Sequence, residues 1–129
     1  MDTKKTVLIV EDDVFLADMY STKFTASGYE AKVAQDGKQC LDMLKEGFRP
    51  DIMLLDVVMP KMDGIELLAA IKSDANLERI PVVLLTNLGQ ESDIARGMEV
   101  GALDYLVKAH FTPSEVVKKV EEILQKIKS

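Results

Sequence analysis

The sequence predicts an α/β fold in which a parallel sheet is wound on both faces by helices. Three observations carry this. Five short apolar runs recur along the 129 residues: "TVLIV" (6–10), "EAKVA" (30–34), "DIMLL" (51–55), "IPVVLL" (80–85) and "ALDYLV" (102–107). Three of them are continuous rather than alternating, which suits strands buried on both faces of a parallel sheet. Amphipathic stretches of helical period lie between them, and strict βαβα alternation with right-handed crossovers gives a doubly wound sandwich.

After the first strand, residues 14–27 place Leu16, Met19, Tyr20 and Phe24 at i, i+3, i+4 and i+8, with Gly28 as the C-cap. The second helix, 37–48, repeats the pattern with Leu41, Leu44 and Phe48 behind an Asp36 N-cap. The third runs from about Gly64 through Ile65, Leu68 and Ile71. The fourth, about 90–99, is short and polar, anchored by Ile94, Ala95 and Met98. The fifth, 113–128, opens on "TPSE": Thr112 as N-cap, Pro113 at the first helical position and Glu115 completing a capping box. Its stripe is Val116, Val120, Ile123, Leu124 and Ile127.

Length and charge bound the function. One domain spanning 1–129 is expected, large enough to bury roughly two-thirds of its unfolded surface. The net charge of −6 argues against a nucleic-acid backbone as direct partner, and there is no zinc-type Cys/His spacing. No apolar run approaches the ~20 residues of a membrane helix. Cys40 is the single cysteine and has no internal partner, which fits a reducing, cytoplasmic compartment.

In doubly wound sheets ligands bind beyond the carboxyl ends of the strands. Here strand one ends in Glu11-Asp12-Asp13, strand three in Asp56, strand four in Thr86 and strand five in Lys108. Asp13 reads best as a first-turn acid that complements a helix dipole. Glu11 or Asp12 alone could do the same, Thr86 could be an ordinary strand-end residue, and Lys108 a solvated loop lysine. Convergence on one edge outweighs these separate readings. Two unit charges 4 Å apart repel by about 4 kcal/mol at an effective dielectric near 20, so three clustered carboxylates share protons or recruit a cation. An all-oxygen acidic set favours Mg²⁺. A carboxylate beside that ion can attack phosphorus, with Lys108 neutralising a phosphoryl oxygen and Thr86 donating a hydrogen bond.

At "VLIVEDD", "LLDVVMPKMDG", "VVLLTN" and "DYLVK" the sequence resembles the receiver domain of bacterial two-component response regulators over nearly its whole length. The resemblance implies a five-stranded sheet of flavodoxin-like order 2-1-3-4-5. It makes Asp56 the phosphoacceptor, and Glu11 and Asp12 the acidic pair, with Asp12 the direct ligand of Mg²⁺. The Val58 backbone carbonyl completes the metal set. Thr86 and Lys108 become the phosphoryl-binding pair, and Tyr105 the switch aromatic that turns inward as Thr86 moves. Val58 and Asn87 occupy the positions that tune water access, and an Asn87 that partly covers the phosphoryl group would slow its hydrolysis.

The implied activity is that of a signalling switch, not an enzyme acting on other substrates. A sensor histidine kinase or phosphotransfer protein donates the phosphoryl group, and the domain catalyses only its own phosphorylation and dephosphorylation. A protein partner reads the face of helix 4, strand 5 and helix 5, in a monomer or a phosphorylation-dependent dimer. With the chain stopping at helix five, a stand-alone receiver without an output domain is expected. One departure stands out: Ala109 follows the lysine where the family usually has a cis-linked proline. A non-proline cis bond costs about 2.5–4 kcal/mol, so a trans bond that re-aims Lys108 is expected, retained strain being the alternative. Two other classes fit less well. A haloacid-dehalogenase-type enzyme would carry its nucleophile after strand one in a pattern that "EDDVF" lacks. A flavodoxin-like flavin binder would want a Gly/Ser/Thr phosphate loop where three acids stand.

Overall fold

The structure, a computed structural model, describes residues 4–128. Five strands alternate with five helices: β1 (Thr6–Val10), α1 (Val14–Ala26), β2 (Glu30–Ala34), α2 (Gly37–Lys45), β3 (Ile52–Asp56), α3 (Gly64–Lys72), β4 (Val82–Thr86), α4 (Glu91–Val100), β5 (Asp104–Val107) and α5 (Pro113–Lys128). A single 3-10 turn, Lys108–His110, links β5 to α5. The strands form one all-parallel sheet in the order β2-β1-β3-β4-β5, as expected for the flavodoxin-like arrangement.

Period-two alternation sorts the strand side chains onto two faces. Leu8, Val10, Met53, Leu55, Val82 and Leu84 pack with Cys40, Leu44, Leu67, Leu68 and Ile71 under α2 and α3. Val7, Ile9, Ile52, Leu54, Val83 and Leu85 pack with Tyr20, Phe24, Val116, Val120 and Leu124 under α1 and α5. All five residues of β3 are buried, and so are those of β4. Each fully buried Leu or Ile contributes about 1.5–3 kcal/mol, and both layers depend on the two central strands. At the opposite pole from the strand ends, Asp51 Oδ2 accepts hydrogen bonds from the Thr6 backbone N–H (2.7 Å) and hydroxyl (3.1 Å). That ties the starts of β1 and β3 together.

The helix caps follow the expected chemistry. Asp13, Asp36 and Asp63 each accept the backbone N–H three residues on. Thr112 and Glu115 form the reciprocal box of α5. Several boundaries and anchors differ. Gly28 lies one residue past the Ser27 C-cap, at φ +93°. α2 ends at Lys45 instead of 48 because Gly47 turns left-handed (φ +109°) and Phe48 N–H bonds back to the Met43 carbonyl. β5 starts at Asp104, since the Ala102 N–H closes α4 on the Gly97 carbonyl. Met19, Met98 and Ile127, expected in apolar stripes, are exposed, and Ala95 is too. On α1 the buried positions are Ala17, Tyr20 and Phe24, and on α4 Gly97 alone forms the contact, because that helix lies close to Leu84 of the sheet.

Candidate functional site at the carboxyl ends of the strands

Asp56 is the last residue of β3 and is only 3% exposed. An unpaired carboxylate there would be costly. Lys108 supplies the compensating charge: its Nζ lies 3.2 Å from Asp56 Oδ1 and 2.7 Å from Glu11 Oε1. Glu11 follows β1 directly and is 1% exposed. Its Oε2 accepts the Asp13 backbone N–H at 3.2 Å. Asp12, between them in sequence, is exposed. One carboxylate oxygen from each of Glu11, Asp12 and Asp56 falls within 4.8 Å of the others. This all-oxygen, all-carboxylate set suits a hard divalent cation such as Mg²⁺.

The electrostatics are those of an acid cluster around one buried ammonium. Burial pushes the Asp56 carboxyl up to about 7, helped by a shared hydrogen bond and like charge from Glu11 and opposed by Lys108. Burial acts to lower the Lys108 ammonium, but its bond to Glu11 and the charges of Asp56 and Glu11 outweigh that and raise it. Lys108 therefore stays cationic throughout the neutral range.

The loop that presents Asp56 is held by backbone contacts. Val57 N–H donates to the Leu85 carbonyl (3.1 Å), and Gly64 N–H to the Val57 carbonyl (2.8 Å). A Cβ on Gly64 would strike the Asp56 carbonyl oxygen and come within 2.8 Å of Val57 Cα. Only glycine lets α3 start this close to the strand end. Asp63 and Glu66 close a capping box around it. The sequence places the start of the third helix at about Gly64 without either the box or the close approach; an Asp followed three residues later by Glu was the available signal.

Thr86 ends β4, adjacent to Asp56, and is fully buried. Its hydroxyl donates to the Leu106 carbonyl at 3.5 Å, a long bond. Tyr105 on β5 is 42% exposed, turned toward solvent. The Lys108–Ala109 bond is trans, as are all peptide bonds among the described residues, and Lys108 nevertheless reaches the acids. Val58 and Asn87 are exposed in the loops after β3 and β4, and the Asn87 backbone N–H donates to Gln90 Oε1. His110 is exposed in the 3-10 turn, as expected for a loop histidine. The structure thus brings Glu11, Asp12, Asp56 and Lys108 together, sets Thr86 beside them, and leaves Tyr105, Val58 and Asn87 at the surface.

A family model, the response regulator receiver domain, matches residues 7–121. The chain belongs to that family. Among curated relatives, the DNA-binding response regulator MtrA of Mycobacterium tuberculosis is 36% identical over 127 residues, covering 98% of this chain and 54% of that protein. Among solved structures, the receiver superposes on the Vibrio cholerae chemotaxis protein CheY4 with a TM-score of 0.85. That pair is 30% identical, covering 93% of this chain and 98% of the other. It also superposes on the receiver domain of the Francisella response regulator 1452, with a TM-score of 0.83 and 30% identity over 96% of this chain and 99% of that one. The chain spans about half the length of the curated relatives it matches. No helix among the described residues is long and apolar enough to cross a membrane.

Proposed function

We propose that the receiver, residues 1–129, is a phosphorylation-dependent switch in two-component signalling, with Asp56 as phosphoacceptor. The observation that carries this is the Lys108 ammonium placed 3.2 Å from a strand-end Asp56 that burial keeps otherwise unsolvated. An Asp56 carboxylate oxygen attacks the phosphorus of a phosphohistidine on a sensor kinase or phosphotransfer protein. The N–P bond breaks, the imidazole leaves with its electron pair, and an acyl phosphate remains on Asp56. Lys108 neutralises charge gathering on a phosphoryl oxygen. Asp12, Asp56 and the Val58 carbonyl, with Glu11 beside them, would hold Mg²⁺, which supplies Lewis-acid neutralisation of those oxygens. In the return step water attacks phosphorus, the O–P bond to Asp56 breaks, and inorganic phosphate leaves. Asn87 and Val58 border that approach.

The phosphoryl group offers Thr86 a stronger acceptor than its 3.5 Å bond to Leu106. Tyr105 then follows inward, and the α4–β5–α5 face changes for a protein partner. To move the equilibrium from 1:99 to 99:1 the new contacts must favour one state by about 5.5 kcal/mol. The setting is cytoplasmic, and the molecule is a monomer or a dimer formed on phosphorylation. Incubation with Mg²⁺ and acetyl phosphate, followed by intact mass, tests the reading. One phosphoryl adduct is expected on the wild type and none on Asp56→Asn; a wild type without adduct refutes it.

A further inference from the structure

We propose that Tyr20 is a further positioning residue of the site: its hydroxyl holds the Lys108 ammonium from the α1 side, through one water that the two share. This rests on the reading of Asp56 as phosphoacceptor. Side chains two residues apart on a strand share a face. Glu11 continues the row of Val7 and Ile9, Asp56 that of Ile52 and Leu54, and Lys108 that of Leu106. All three rows lie on the face that α1 and α5 cover, so the charged cluster forms the rim of that apolar layer.

Tyr20 stands in the same layer, midway along α1, and is 1% exposed. α1 begins just past the carboxyl end of β1, and a helical side chain leans toward its own N-terminus, so the phenol leans toward the cluster. Its hydroxyl has no hydrogen-bond partner among the described residues. Among those residues, too, no side-chain polar atom is both sealed from solvent and unpartnered. The trace of exposure left to Tyr20 therefore falls on the hydroxyl, where water can reach it. Burial raises the pKa of the phenol; Lys108 weighs most among the charges and opposes the rise, ahead of Glu11 and Asp56. The phenol is neutral, and its oxygen can accept a hydrogen bond. An ammonium has three N–H donors, and the acids take two of them, at 2.7 Å for Glu11 and 3.2 Å for Asp56. A water between the third donor and the phenol oxygen satisfies both. Lysine carries its charge on a flexible stem, and this link fixes it from the helix side as well.

Two experiments decide the matter. In a crystal structure with ordered water, Tyr20 Oη and Lys108 Nζ are expected to bind one water in common. A hydroxyl joined to Lys108 neither by a water nor directly overturns the proposal. The second is a cycle of Tyr20→Phe, Lys108→Gln and the double variant, read as the rate of adduct formation from acetyl phosphate at saturating Mg²⁺. Phenylalanine keeps the ring and its packing, so Tyr20→Phe is expected to fold normally and slow the rate about fivefold. In the Lys108→Gln background it should change the rate by less than about twofold, because its route of action is gone. Losses that multiply mark a merely structural role and refute the proposal, as does an unchanged rate in Tyr20→Phe. A wild type that forms no adduct refutes the phosphoacceptor reading instead, while the ordered-water structure still decides the role of Tyr20.

Discussion

Asp56 keeps its proton up to about pH 7 in the folded receiver, whereas an ordinary aspartate loses it near 3.8. Between those values the folded state binds the extra proton, so stability falls as pH rises through that window. Asp56→Asn has no charge to desolvate. We expect it to be more stable than the wild type at pH 8, by about 1–3 kcal/mol, with the gap closing toward pH 4–5. Urea titrations across pH measure this, and a gap independent of pH would count against a proton-binding Asp56. Thr86 makes the complementary case. Its hydroxyl holds a long bond to the Leu106 carbonyl in a fully buried site. Thr86→Val keeps the shape and should change stability by less than about 1 kcal/mol. It should nonetheless abolish the response of β5 amide shifts to phosphorylation, followed by NMR.

The segment from β3 into α3 supports the site through its backbone. Lys61, at φ +72°, stands at the centre of a tight turn closed by Met62 N–H on the Pro60 carbonyl, and Gly64 brings α3 against the Asp56 backbone. Gly64→Ala meets backbone atoms that cannot yield. It should cost about 3 kcal/mol and slow phosphorylation even where the protein remains folded. α4 is less secured: its N-cap Gln90 makes no side-chain capping bond, and Gly97 is its one buried residue. A Cβ at Gly97 would strike Leu84 Cδ1 and approach Ile65 Cδ1 to 3.1 Å. Gly97→Ala gains about 1 kcal/mol of helix propensity but loses about 1–3 kcal/mol to overpacking. A net loss, read as a lower Tm together with faster amide exchange in α4, is the expected result.

Parallel strands all point their carboxyl ends to one pole, so the whole molecule concentrates acid there. Glu11, Asp12 and Asp56 share that pole with the helix caps Asp13, Asp36 and Asp63, in a chain of net charge −6. A divalent cation bound only by the folded cluster stabilises by mass action. At a hundredfold excess over Kd, Mg²⁺ should add about 2.7 kcal/mol and raise Tm by several degrees, and EDTA should reverse it. Asp12→Asn should lose most of the effect. An equal Tm rise in that variant would place the ion elsewhere.

What the sequence determined by itself was local or periodic. Continuous apolar runs announced buried parallel strands, 3.6-residue stripes the helices between them, and Asp36 and Thr112 the helix starts. Strand-end polarity named Asp56, Thr86 and Lys108 because a parallel sheet delivers every such residue to the same edge. Closeness of approach was beyond its reach. Gly97, not Met98, faces the sheet because α4 sits too near Leu84 for any side chain there, and on α1 Ala17 rather than Met19 joins Tyr20 and Phe24 on the buried face. The three consecutive acids after β1 show the limit most plainly, since one sequence signal covers three environments. Only tertiary packing made Glu11 the buried partner of Lys108, left Asp12 in solvent and set Asp13 on the N-terminus of α1. Burial and charge pairing depend on residues far apart in the chain, 97 positions for Glu11 and Lys108, and no local pattern encodes them.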